Sequence, residues 1–256
     1  MSLDPIPSAA SGFALQVERF YASLITAADP NVNPKPSLGG QLLYAGPLND
    51  EARAIVVAAN IAGAATLATS ADVELGKQAI RDGVVDFLVT SLSEALRILK
   101  NEIRKRETVA VCVALAPEIV EQEMRERGVL PNLARPVEIT SLELNQTLLT
   151  WRVSSSPAQW LPKLDAIALA CLEYDPGAPG LTSETWDSAI RWLRLAPRYL
   201  GRLAQNFRLL RCSNETVAQL RKQIQKQVER GEIGVPVELW LSSEQHTESY
   251  RFAPPA

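Results

Sequence analysis

The chain has 256 residues, 46% of them hydrophobic and 21% charged, with a formal net charge of −3. That balance suits a folded protein of one large or two small domains, and its slight acidity gives no electrostatic footing for nucleic acid. No apolar run approaches the ~20 residues that span a bilayer, and no basic segment followed by an apolar stretch opens the chain, so a cytoplasmic protein without membrane partners is the expectation.

Phe13, Leu15, Val17, Phe20, Leu24 and Ile25 recur at helical spacing and predict a helix over 12–27. Residues 29–40 hold three prolines and two glycines and read as a linker. Residues 1–38 are therefore set apart as an N-terminal helix and linker. A regular alternation follows. Residues 41–45 form a short strand, and Asn49 caps a helix to about Ala62, with Asp50 and Glu51 in its first turn. Residues 65–69 are a second strand, and Asp72 caps a helix over 73–81 that Gly83 stops. Residues 86–89 are a third strand. Ser91 and Glu94 make the S-x-x-E pattern that opens a helix over 92–106. Residues 108–114 are almost all apolar, as in a strand buried on both faces. Pro117 stands in the first turn of a helix over 118–127, which Gly128 ends. Strand–helix alternation implies a parallel sheet with right-handed crossovers and helices on both faces.

After residue 136 the pattern changes. Residues 137–140 and 147–154 suit strands, 157–173 a helix, and 175–180, with two prolines and two glycines, a loop. Two helices are expected over 182–196 and 197–210, because Pro197 breaks a continuous one. Asn214 is placed to cap a helix over 215–230, and 235–241 with 247–252 suits a terminal hairpin. The fold class is thus α/β: a Rossmann-like parallel sheet over 39–136, then a mainly helical region over 137–256 with short strands.

In doubly wound sheets ligands bind at the carboxyl ends of the strands, beside the start of the first helix. Here that turn reads Ala45-Gly46-Pro47-Leu48-Asn49-Asp50-Glu51-Ala52. A pyrophosphate needs free backbone N–H groups and no side chain in the way. Gly46 suits this, whereas Pro47 has no N–H, and Asp50 and Glu51 compete for the positive helix end. The bland reading is a normally capped structural helix. About 20 residues on, where such folds hold a ribose with an acid, Ser70 offers a hydroxyl and Asp72 reads as a helix cap. Gly46, Asn49 and Ser70 are the candidate cofactor-binding residues.

Four stretches carry a family resemblance: Gly39-Gly40-Gln41-Leu42-Leu43-Tyr44-Ala45-Gly46, Ile61-Ala62-Gly63-Ala64, Thr90-Ser91-Leu92-Ser93-Glu94-Ala95-Leu96, and Glu126-Arg127-Gly128-Val129-Leu130-Pro131-Asn132-Leu133. In order and spacing they resemble the NAD-binding domain of urocanate hydratase, which has a similar D-S-L-D-E-A-L and R-R-G-V-x-P-D-L. The resemblance covers residues 39–133 and implies a Rossmann-like domain, NAD as the family cofactor, and a link to histidine catabolism. The family follows its A-G with a run like L-G-G-M-G-G-A-Q; this chain has Pro47-Leu48-Asn49-Asp50-Glu51-Ala52-Arg53-Ala54. The family's acidic position after the second strand falls on Ser70, and Ala134-Arg135-Pro136-Val137 replaces its T-D-Q-T-S-A-H-D. The family's catalytic cysteine has no counterpart here, so no catalytic residue is carried over.

Other reactive side chains are few. Cys112, Cys171 and Cys212 make no CxxC pair and read as reduced thiols, the first two as core. Cys212, at a helix junction beside Arg211, is the one open to exposure. The single histidine, His246, excludes a multi-histidine zinc site and reads as a turn residue between Glu244 and Glu248. No metal is expected. Arg191, Arg194, Arg198, Arg202, Arg208, Arg211, Arg221, Lys222, Lys226 and Arg230 make a basic segment interleaved with Trp186, Trp192, Tyr199 and Phe207. It offers an anionic partner a surface, or is a solvated helix face over an aromatic core. The expectation is a urocanase-like protein that lacks hydratase activity and serves binding or assembly, with a protein or small-molecule partner or further copies of itself. The alternative is an enzyme or sensor that binds a nucleotide or small acid at the Gly46 turn, including a divergent NAD-dependent, urocanate hydratase-like lyase.

Overall fold

A computed structural model describes residues 8–27, 37–137, 146–173, 183–242 and 247–254. Two compact units divide the chain: Gln16–Glu138, and Ile139–Ala256 together with Met1–Leu15. A first helix, α1, covers Ser8–Thr26 and buries Val17, Phe20 and Leu24.

The Gln16–Glu138 unit runs β1 (Leu42–Pro47), α2 (Asp50–Ala62), β2 (Ala65–Thr69), α3 (Val73–Arg81), β3 (Phe87–Val89), α4 (Leu92–Lys105), β4 (Val109–Val113) and α5 (Pro117–Glu126). All pairings are parallel, in the order β1-β2-β4-β3. The helix starts follow the sequence chemistry. Asn49 Oδ1 accepts from Ala52 N, Asp72 from Glu74 N and Leu75 N, and Ser91 from Glu94 N. Pro117 is the first residue of α5, where its missing N–H costs nothing.

Strand alternation divides the side chains between two layers. Leu42, Leu67, Val89, Val109, Val111 and Val113 face α4 and α5, meeting Leu92, Ala95, Leu96, Leu99, Val120 and Met124. Leu88 turns to the other face, where a Cβ on Gly76 of α3 would meet it at 2.6 Å. α2 contacts β1, β2 and β4 and is buried from Ala54 to Ala62, its alanines allowing close approach to the sheet. Gly39 is required by a close approach of another kind: a Cβ there would lie 2.9 Å from the Arg106 carbonyl at the end of α4.

The second unit holds β5 (Thr147–Val153), α6 (Pro157–Glu173), α7 (Ser183–Leu200), β6 (Phe207–Cys212), α8 (Asn214–Glu229), β7 (Val237–Ser242) and β8 (Thr247–Phe252). Its sheet is antiparallel in the order β6-β5-β7-β8. α6 packs beside α7 and α8. Trp151, fully buried on β5, one of the two inner strands, anchors the core with Leu149, Leu161, Leu164, Leu210 and Leu239.

Two expectations for this unit are corrected. Pro197 does not separate two helices. It lies inside α7, three residues from its end, so only the last turn loses a hydrogen bond. The segment expected to continue as a second helix becomes a 3-10 turn, Gly201–Ala204, and then strand β6. Pairing with β5 from Thr147↔Cys212 to Arg152↔Phe207 overrides the helix propensity of Arg and Leu. The α8 cap is Ser213, whose Oγ accepts from Thr216 N at 3.1 Å, and not Asn214. Asn214 Oδ1 accepts from Thr147 Oγ1 instead, at 2.6 Å. The strand expected over 137–140 lies, beyond Val137, outside the described residues, as do the loop over 175–180 and His246.

Candidate functional site

Because β1 to β4 are parallel, the turns after them gather at one edge. α3 leaves β2 toward the Leu88 face and α5 leaves β4 toward the opposite one, so the chain parts between these neighbouring strands. Such a parting is where open α/β sheets take ligands. Gly46, Asn49 and Ser70 all stand on this edge, and Leu48 N donates to Thr69 O at 2.8 Å, tying the first two turns together.

Gly46 lies at φ +80, a conformation that favours glycine, and the β1–β2 register shifts between Tyr44 and Gly46. The turn's own groups use most of its donors. Pro47 has none, Leu48 N serves Thr69 O, and Asn49 N donates to Pro47 O at 2.8 Å. Asn49 Oδ1 is occupied by Ala52 N, and Arg53 N returns to Asn49 O. Ser70 is similarly committed. Its N–H reaches Val113 O at 3.0 Å, and its buried hydroxyl donates to Asp72 O at 2.8 Å.

The space in front of Gly46 is taken by Arg135. A Cβ on Gly46 would lie 3.2 Å from Arg135 Nη1, and Arg135 Nη2 pairs with Glu51 Oε2 at 3.2 Å. The segment that carries this arginine is fastened along β1. Leu42 N donates to Asn132 Oδ1 at 3.0 Å, Leu42 O accepts from Asn132 N and Leu133 N, and Leu133 bridges Leu43 in parallel. The Pro131-Asn132-Leu133 motif thus places a guanidinium over the turn. Arg135 escapes sequence reasoning because it is distant from Gly46 in the chain; the only signal was its position just past that motif.

On the α5 face of the same edge, the Tyr44 hydroxyl donates to Glu121 Oε1 at 3.1 Å. Burial pushes Tyr44 up to about 12, and the carboxylates of Glu121 and Glu118 add to this while Thr69 opposes it. Thr69 Oγ1 is fully buried and makes no hydrogen bond of normal geometry. This hydroxyl pair was not singled out from the sequence, where Tyr44 reads as an apolar strand residue.

The other reactive residues are structural. Burial pushes the Cys112 and Cys171 thiols up to about 11 and Cys212 to about 12. Cys212 is buried, which closes the exposure left open for it. The basic segment does not form one stripe. Arg208 turns inward to Asp165 at 3.0 Å and Arg211 is buried. Trp192 is core, with Nε1 donating to Leu209 O at 2.7 Å, and Phe207 is buried. Among the described residues no group of three or more His, Cys, Asp or Glu side chains is arranged to hold a metal, and no helix is long and apolar enough to cross a membrane.

No protein-family model matches this chain, and no curated protein matches it.

Proposed function

We propose that this chain is a urocanase-like, Rossmann-like protein without urocanate hydratase activity, which serves binding or assembly in the cytoplasm. One observation carries the reading. Where the family cradles NAD on backbone amides, the turn after β1 spends most of its donors internally and sets Arg135 over Gly46. A dinucleotide would have to displace that guanidinium and meet Asp50 and Glu51 at the helix start. Loss of urocanate ultraviolet absorbance, followed with and without added NAD, tests this; sustained turnover overturns it.

Arg135 itself favours a second reading. Its partner Glu51 is half-exposed, and an ion pair of that kind is worth about 1 kcal/mol or less, so a small anion could take the carboxylate's place. The site then binds a nucleotide or small acid in front of Gly46, with Asn49 and Ser70 beside it. Thermal melts with NAD, other nucleotides and urocanate decide between the two, and a flat response removes the second. Mass spectrometry of the denatured protein gives an independent answer, since retained NAD overturns the first.

A further inference from the structure

The parallel sheet ends differently on its two sides. The outer edge of β1 is covered by Asn132 and Leu133, whereas β3 is the last strand on the other side and, among the described residues, pairs only with β4. Asp86 N–H is directed at β4, reaching Ala110 O at 2.8 Å, so by alternation the N–H of Phe87 points to the open side. Beside this edge lies a surface groove of about 1130 Å³ lined by Phe87, Ile98, Arg97, Lys100, Arg104 and Asp86 among others.

The charges in the groove are unevenly matched. Asp86 Oδ2 already accepts from Ala110 N at 2.8 Å, and Glu102 accepts from Lys105 and Asn101. Arg97 and Lys100 are exposed and have no carboxylate partner among the described residues. Arg104 makes a 3.3 Å hydrogen bond to Asn101 Oδ1. These three cations recur along one face of α4, at i, i+3 and i+7. Phe87, an exposed aromatic on the same side of β3, completes that wall. The other side of β3 is apolar. Gly76 of α3 closes on Leu88, and Val73 and Ile80, which share its helix face, are both exposed.

We propose that β3 is a docking edge for an extended partner segment alternating acidic and apolar residues, which pairs with β3 as an added strand. Strand addition sends alternate side chains to opposite faces. Acidic ones would meet Arg97, Lys100 and Arg104, and apolar ones Leu88, Val73 and Ile80. The occupant is not a second copy of this chain: pairing β3 with β3 across a two-fold axis sets two cationic α4 faces side by side. A nucleic acid offers no ladder of N–H and C=O groups to the strand, and would face Asp86 and Glu102. The inference goes beyond the proposed function and stands whether or not the Gly46 turn takes a cofactor.

The test is fluorescence anisotropy on the full chain with a fluorescein-labelled peptide of alternating glutamate and valine. Saturable binding that weakens with salt is expected. The triple variant Arg97→Glu, Lys100→Glu, Arg104→Glu, shown folded by circular dichroism, should bind at least about tenfold more weakly, roughly 1.4 kcal/mol. Single Lys100→Glu and Phe87→Ala variants give smaller losses in the same direction and serve if the triple variant does not fold. Hydrogen exchange at the Phe87 amide should slow on binding. Four outcomes overturn the proposal: no saturable binding, equal binding by the variants, equal binding of a lysine–valine peptide, or preference for a single-stranded oligonucleotide. A fifth, self-association of the chain that Phe87→Ala weakens, would assign the edge to a second copy. NAD melts and urocanate turnover report on the Gly46 turn separately, so the two readings fail independently.

Discussion

Replacing Arg208 by Met should make the second unit's stability depend on pH in a defined direction. Arg208 and Asp165 are 13% and 16% exposed, and their charged atoms are 3.0 Å apart. Arg208 Nη1 also donates to the carbonyls of Ala204 and Phe207. Methionine keeps much of the aliphatic stem, so the loss is mainly electrostatic. Burial already raises the Asp165 carboxyl, and Arg208 is the main group opposing that rise; the Trp151 indole lies near but makes no normal hydrogen bond. Without the guanidinium the folded-state value climbs further above that of the unfolded chain, about 3.9. Between those two values the folded state binds more protons than the unfolded one, so stability falls as pH rises. At about pH 8 the buried carboxylate is unpaired and the loss should reach ~3–5 kcal/mol. Near the unfolded carboxyl value Asp165 is protonated when folded, and only the hydrogen-bond loss of about 1–2 kcal/mol remains. Urea unfolding of both proteins across this range measures the difference. A loss independent of pH, or one under about 1 kcal/mol at the alkaline end, refutes the assignment of Arg208 as the neutralising partner.

Other outcomes follow from the first unit and the thiols. Thr66 is fully buried and its Oγ1 has no hydrogen-bond partner, so the isosteric Thr66→Val should stabilise by ~1 kcal/mol, raising Tm by about 3 °C in a melt. Gly46→Ala should destabilise by roughly 1–2 kcal/mol in urea titrations, through its φ of +80 and the approach of Arg135. Adding Arg135→Ala should recover only the contact part; full recovery would contradict the backbone argument. Iodoacetamide at about pH 8 should label none of Cys112, Cys171 and Cys212 in the folded protein and all three in denaturant, read by mass spectrometry.

The first unit was legible because its signals are local. Asn49, Asp72 and Ser91 accept the expected first-turn amides, and the apolar run around Cys112 is a strand buried on both sides. The second unit was less so. β6 is specified by its partner some sixty residues away and not by its own leucines and arginines. Ser213 and Asn214 are both good caps, and only the Thr147 contact decides between them. At the candidate site, sequence reasoning found that Gly46, Asn49 and Ser70 share an edge and that the turn is poor in donors. It missed that Arg135 fills the space, because a long-range contact leaves no mark on local spacing.

The brace along β1 carries a cost in time. Leu42 waits for Asn132, which follows it by ninety residues, to satisfy its amide. While the chain is being synthesised, every residue through Leu133 must emerge before that side of the sheet is covered. Until then β1 presents a bare strand edge, the kind of surface that nascent chains pair with one another. A fragment ending before Pro131 would hold all four parallel strands and still behave as an unfinished protein. The short stretch from Asn132 to Arg135 therefore also acts as the closing step of folding, completing the sheet and covering the Gly46 turn together.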